Sequence, residues 1–165
     1  MNMDTIDDDV KNILMSYIQI CDKHSNKLQA ALAKTQHLLP FTIYNVENLN
    51  ELDNAFIEVV IGRFAKLQDT CGQKIFSLVL ICQGEDVRDK TFIDILNLFE
   101  KFGFIDDSNF WLKLRKTRNT LAHEYPNNQE KLITALNAVY SQSKELIGYW
   151  QFLKRKINKS VFVRD

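Results

Sequence analysis

Apolar residues recur at helical spacing along almost the whole chain, and this pattern constrains the fold more than any other feature. In the N-terminal segment Ile6, Val10, Ile13, Tyr17, Cys21, Leu28 and Leu32 follow at steps of three, four and seven, the spacing of one helix face. Five glycines and two prolines in 165 residues are too few for the tight turns of an all-β chain. The pattern predicts an all-α fold. Its form is an antiparallel bundle of four long helices plus one short crossing helix, in one domain over residues 1–165.

The punctuation sets the expected boundaries. The first helix runs from about Thr5 to Gln36. Asp7, Asp8 and Asp9 lie at the positive end of its dipole, and Pro40 stops it. The second starts near Asn48 or Asn50, either a fitting N-cap, and carries Leu52, Phe56, Val60, Leu67, Cys71 and Leu78 to a stop at Gly84. A short third helix spans about Thr91 to Lys101, with Phe92, Ile95, Leu96 and Phe99, and ends at Gly103. Ser108 caps a fourth that begins near Asn109, fades at His123 and is closed by Pro126. The fifth covers about Asn128 to Ile157 and turns Leu132, Ala135, Leu136, Val139, Leu146, Tyr149, Trp150 and Leu153 inward. The terminal SVFVRD reads as a short strand or a tail.

Composition narrows the classes of function. Twenty-one basic residues balance 21 acidic ones, so no global charge draws the chain to nucleic acid or membrane, and any such partner must meet a local patch. Three cysteines, Cys21, Cys71 and Cys82, without CxxC spacing argue against a disulfide framework or a zinc site and for thiols in a reducing compartment. The acidic N-terminus is unlike a signal peptide, and no apolar run approaches the ~18 residues of a membrane span. The expectation is a soluble, cytoplasmic protein with no metal, no cofactor and no membrane contact.

The informative stretch is Arg115-Lys116-Thr117-Arg118-Asn119-Thr120-Leu121-Ala122-His123-Glu124-Tyr125-Pro126. On a helical wheel Phe110, Leu114 and Leu121 lie within about 80° of Arg118 on one side, and Trp111 and Ala122 within about 40° on the other. An arginine inside an apolar stripe must snorkel, pair with an acid or meet an anion, because an unpaired buried charge is costly. Arg118 and His123 are about 140° apart around one helix, so they converge only where the helix ends or across a two-fold axis from another copy. Histidine suits proton transfer near neutral pH, and arginine is the fork that fits a phosphate. Asn119 adds a neutral hydrogen-bonding group. By residue type these suit phosphodiester chemistry. Arg63, between Phe56, Val60 and Leu67 on its own wheel, is either half of a structural ion pair with a neighbouring helix or a second cation facing the cleft. His24 and His37 read as surface or satisfied core residues. The cations around Lys113, Arg115 and Lys116 are either dipole-complementing charges or a phosphate patch.

Arg118-Asn119-x3-His123 resembles the Arg-polar-x3-His motif of the HEPN superfamily. With Tyr125 it becomes Arg-x4-His-x-Tyr, which is similar to the HEPN toxin of toxin–antitoxin pairs whose partner is a minimal nucleotidyltransferase. Gly62-Arg63-Phe64, Phe92-Ile93-Asp94-Ile95-Leu96, Gly103-Phe104-Ile105 and Trp111 follow the order of the related nucleotidyltransferase substrate-binding proteins, so the resemblance covers about residues 48–125. It implies a HEPN-like homodimer formed through the motif-bearing helices, with one metal-independent RNA-cleaving site at the cleft. Arg118 would stabilise the scissile phosphate, Asn119 would orient it or the histidine, and His123 would be general base or acid. Arg115, Lys116 and Arg63 would contact RNA phosphates. Tyr125 would be the tyrosine that the nucleotidyltransferase antitoxin silences by AMPylation. The alternative is a non-catalytic, nucleotide-binding subunit of such an enzyme. A third reading is a structural helical domain in which Arg118 pairs with an internal acid.

Overall fold

The computed structural model describes residues 3–123 and 128–163 and is all-helical among them. Helix α1 spans Met3–Thr35 and tightens into a 3-10 turn over Gln36–Leu38 ahead of Pro40. Thr35, buried at its end, donates to the Ala31 carbonyl (2.8 Å) and accepts from the Tyr140 hydroxyl (2.6 Å). A one-turn helix α2, Ile43–Glu47, lies where the apolar period signalled nothing. It is set by a capping box in which the Thr42 and Asn45 side chains each take the other's backbone N–H.

Helix α3, Glu51–Thr70, opens at Asn50, whose side chain accepts from the Asp53 N–H at 2.8 Å. It continues through a wide π turn, Cys71–Ile75, into α4, Phe76–Cys82. One continuous helix was expected here; the π turn instead shifts the inward face to Cys71, Ile75, Phe76, Val79 and Leu80. Leu52, expected inward, is 66% exposed because it lies in the first turn, ahead of the packed stretch that begins at Ile57. Ile13 and Leu132 are likewise exposed. Gly84 and Gly103 adopt the left-handed φ values of 87° and 73°, ending α4 and helix α5 (Phe92–Lys101) as expected of glycine.

Helix α6 spans Ser108–Ala122 and is capped by Asp107 rather than Ser108: the aspartate side chain accepts from the Asn109 N–H at 2.8 Å. Ser108 instead donates its backbone N–H to Glu100 of α5 (2.8 Å). Helix α7, Gln129–Ile157, runs on into a second π turn at Asn158–Phe162, which buries Val161. The terminal segment is therefore helical through Phe162, neither strand nor tail, since burying Val161 keeps it wound.

The helices form a bundle. α1 packs on α3, α4 and α7; α3 on α6 and α7; α6 on α7; and α5 braces α4 and α6. One hydrophobic cluster runs through all of these. An aromatic stack fixes α6 in it: Phe76 lies 4.2 Å from Phe99 and 4.7 Å from Trp111 between ring centroids. Cys21 and Cys71 are buried thiols with sulfurs 3.9 Å apart, and burial pushes the Cys71 thiol up. No helix among the described residues is long and apolar enough to cross a membrane.

Arg63 faces α1, where its Nη1 donates to His24 Nδ1 at 2.9 Å. The guanidinium is permanently charged, so the imidazole accepts and is neutral. Partial burial, then Arg63, Lys66, Lys23 and Lys27, hold the His24 pKa below 6.5. The unfolded chain therefore takes up the His24 proton more readily than the fold does. This contribution to stability is complete above pH 6.5 and declines as pH falls from 6.5 toward the lower folded value. Urea unfolding at stepped pH is expected to show that decline in the wild type and a flatter profile in His24→Gln.

Candidate functional site

The C-terminal half of α6 presents the site residues in three directions. Trp111, Leu114 and Thr117 point into the core, which leaves Arg118, one step around the helix, half-buried at the edge of α3. There it meets Asp69: Nε donates to Oδ1 at 3.1 Å and Nη2 to Oδ2 at 2.8 Å. This fork-on-fork pair, with side chains 31% and 30% exposed, pushes the Arg118 pKa up from its ordinary value through the hydrogen bonds to Asp69. Two of the five guanidinium N–H groups serve Asp69, and that fixes the plane and direction of the others.

The carboxylate is itself held from behind. Gln68 is buried next to it, and with its amide turned to satisfy both ends it donates to Asp69 Oδ1 (3.1 Å) and accepts from Trp111 Nε1 (3.3 Å). A chain of hydrogen bonds thus runs from a core tryptophan through Gln68 and Asp69 to Arg118. Gly72, in the π turn, makes the approach possible. A Cβ there would lie 3.2 Å from Trp111 Nε1 and 3.5 Å from Phe92 Cε2. π turns interrupt helices at functional sites more often than chance, and this one follows Asp69 by two residues.

Asp69, Arg118, Arg115, Asn119, Phe92 and Gln73 line a cleft of about 310 Å³. Arg115 lies over the Phe92 ring, 4.4 Å from its centroid, an attraction of roughly 0.5–2 kcal/mol that turns the guanidinium toward this cleft. A second cleft of about 330 Å³ is lined by Leu112, Arg115, Lys116, Asn119, Thr120 and His123. Arg115 and Asn119, one turn apart, line both.

His123 is the C-cap of α6, with extended backbone (φ −103°, ψ 139°) and an exposed ring. The helix ends at His123, yet within one chain Arg118 and His123 remain on opposite sides of the Arg115–Asn119 ridge. Arg63 lines neither cleft, and Tyr125 lies outside the described residues. Chemically, the surface offers an oriented guanidinium, a second cation on an aromatic ring, an amide and an accessible imidazole, the groups that bind and transform a phosphodiester. Among the described residues no three His, Cys, Asp or Glu side chains are grouped to hold a metal ion.

Sequence reasoning did not find Asp69 or Gln68. The signal for them was Arg118 itself, since an arginine on an apolar stripe calls for an acid. The pairing with Asp69 matches the ion pair weighed for Arg118, although the partner lies at a half-open cleft rather than in the interior. Comparison of the chain with protein-family models, curated proteins and solved structures finds no match.

Proposed function

We propose that this chain is a HEPN-type, metal-independent endoribonuclease, the toxin of a toxin–antitoxin pair. It works as a homodimer joined through α6, with its four long helices as an antiparallel bundle, and is neutralised by a minimal nucleotidyltransferase that AMPylates Tyr125. The observation that supports it most is the bidentate grip of Asp69 on Arg118 in the lining of one cleft, beside a second cleft lined by His123, with Arg115 and Asn119 in both linings. A guanidinium held only for stability has no need of a second arginine stacked at the same rim.

In this reading His123 takes the proton of a ribose 2′-hydroxyl. The 2′-oxygen bonds to phosphorus and the P–O5′ bond breaks, while Arg118 stabilises the charge that builds on the phosphoryl oxygens and Asn119 orients the phosphate. The departing 5′-oxygen takes a proton from the second copy of the histidine or from water. The products are a 2′,3′-cyclic phosphate and a 5′-hydroxyl end. A strand with a single 2′-deoxy nucleotide at the cleaved position should resist cleavage there, with the products of the unsubstituted strand read by mass. Cleavage that tolerates the deoxy substitution contradicts the mechanism. Nucleotide binding without any cleavage selects the alternative, a non-catalytic binding subunit of a nucleotidyltransferase.

A further inference from the structure

A third cleft, of about 530 Å³, opens between α6 and α7 and adjoins the His123 cleft through Lys116 and Thr120, which line both. Its cations are Lys113, Lys116 and Lys131; its hydroxyls include Thr117 and Thr120; Glu130 is the one acid among its described lining residues. Lysines outnumber acids among the described lining residues by three to one, and Glu145, the partner of Lys113, stands at the groove's edge. The N-terminal end of the 29-residue α7 lies at the same groove, where Asn128, also in the lining, accepts the Lys131 N–H at 3.1 Å. The helix dipole adds to the positive field there. Ala135 and Ala138 keep the groove wall low. Lys113 pairs with Glu145 at 3.1 Å, but both side chains are about half exposed, and such a pair is easily exchanged for a phosphate.

The three clefts follow one another around α6, from Arg118 across Arg115 and Asn119 to His123, then across Lys116 to Lys113 and Lys131. Lysines and hydroxyls set in this order suit a sugar–phosphate backbone, which is held by charge and hydroxyl contacts rather than by base edges. We infer that the α6–α7 groove binds the phosphodiester backbone of an unpaired RNA strand flanking the scissile phosphate, an inference that rests on the ribonuclease reading. The strand is unpaired because A-form pairing holds the 2′-oxygen off the line of the P–O5′ bond, and attack needs that alignment.

The test is fluorescence anisotropy with a short fluorescein-labelled 2′-O-methyl RNA strand, which binds without being cut, titrated against salt. Each phosphate neutralised on a single strand contributes about 0.7 to the slope of log K against log salt. Lys113→Ala/Lys131→Ala is expected to lower that slope by about 1.4, and the charge-matched control Lys23→Ala/Lys27→Ala on α1 to leave it unchanged. An unchanged slope in the groove variant, or an equal drop in the control, overturns the inference. If wild type still cleaves RNA while the groove variant keeps the slope, the groove assignment alone fails. If wild type neither binds the strand nor cleaves RNA, the ribonuclease reading falls with it. Groove-dependent binding of an oligoglutamate, with no binding of the strand, overturns the inference in favour of an acidic protein partner.

Discussion

If the chain is the ribonuclease proposed, replacing His123 with alanine is expected to lower RNA cleavage by about 10²–10⁴-fold, the usual worth of a positioned general base or acid. It leaves the folded state almost untouched. The ring is exposed and sits past the last turn of α6, and surface substitutions of this kind shift stability by no more than about 0.5 kcal/mol. That separation makes the variant informative. Arg118→Ala is a less clean probe, because it strips the half-buried Asp69 of its partner and changes stability along with chemistry. Initial rates on total RNA, with thermal melts on the same samples, check the prediction. Unchanged cleavage in His123→Ala removes the histidine from the reaction. No cleavage by either protein, with nucleotide binding that His123→Ala only weakens, supports the binding-subunit alternative.

Trp111→Ala destabilises the fold by about 3–5 kcal/mol, the range for truncating a large buried aromatic. The indole is fully buried, lies 4.7 Å from Phe76 and 5.8 Å from Tyr149 between centroids, and closes against Gly72. It is also the donor behind Gln68, so its loss frees the amide that steadies Asp69. Trp111→Phe keeps part of the ring contact and removes the N–H together with the second ring. It is expected to cost less, about 1–3 kcal/mol for the stranded buried acceptor and the smaller ring. Denaturant unfolding of the two variants separates packing from hydrogen bonding. A loss below 1 kcal/mol for Trp111→Ala contradicts this view of α6 as a helix clamped by its tryptophan.

The helices were legible because their signals are local. Asn50 as N-cap, the stop at Gly84, the Thr91–Lys101 helix and the inward face of α7 through Trp150 and Leu153 all follow from spacing and capping chemistry. Other features escaped, the Asp107 cap and the wound terminus at Asn158–Phe162 among them, and two more show why. Helix α2 rests on a reciprocal Thr42–Asn45 cap and on Phe41 exchanging two hydrogen bonds with Asn137 of α7, a contact 96 residues away. The π turn at Cys71–Ile75 leaves no mark in the apolar period, and it determines how Asp69 and Gly72 sit against α6. In the site, the odd placement of Arg118 was readable from the wheel, and so was its separation from His123 within one chain. Arg63 shows the limit of the wheel: a cation in an apolar stripe was visible, but the neutral imidazole that answers it, His24 on α1, was not.

That separation within one chain gives the most direct test of the central claim, that two copies of α6 complete one RNA-cleaving site. Arg118→Ala and His123→Ala are each purified, shown to be inactive, unfolded and refolded together to form mixed dimers, and assayed on RNA. The account predicts recovered cleavage in the mixture, because one hybrid dimer joins the intact arginine of one chain to the intact histidine of the other. Mixed dimers that form and stay as inactive as either parent would contradict it.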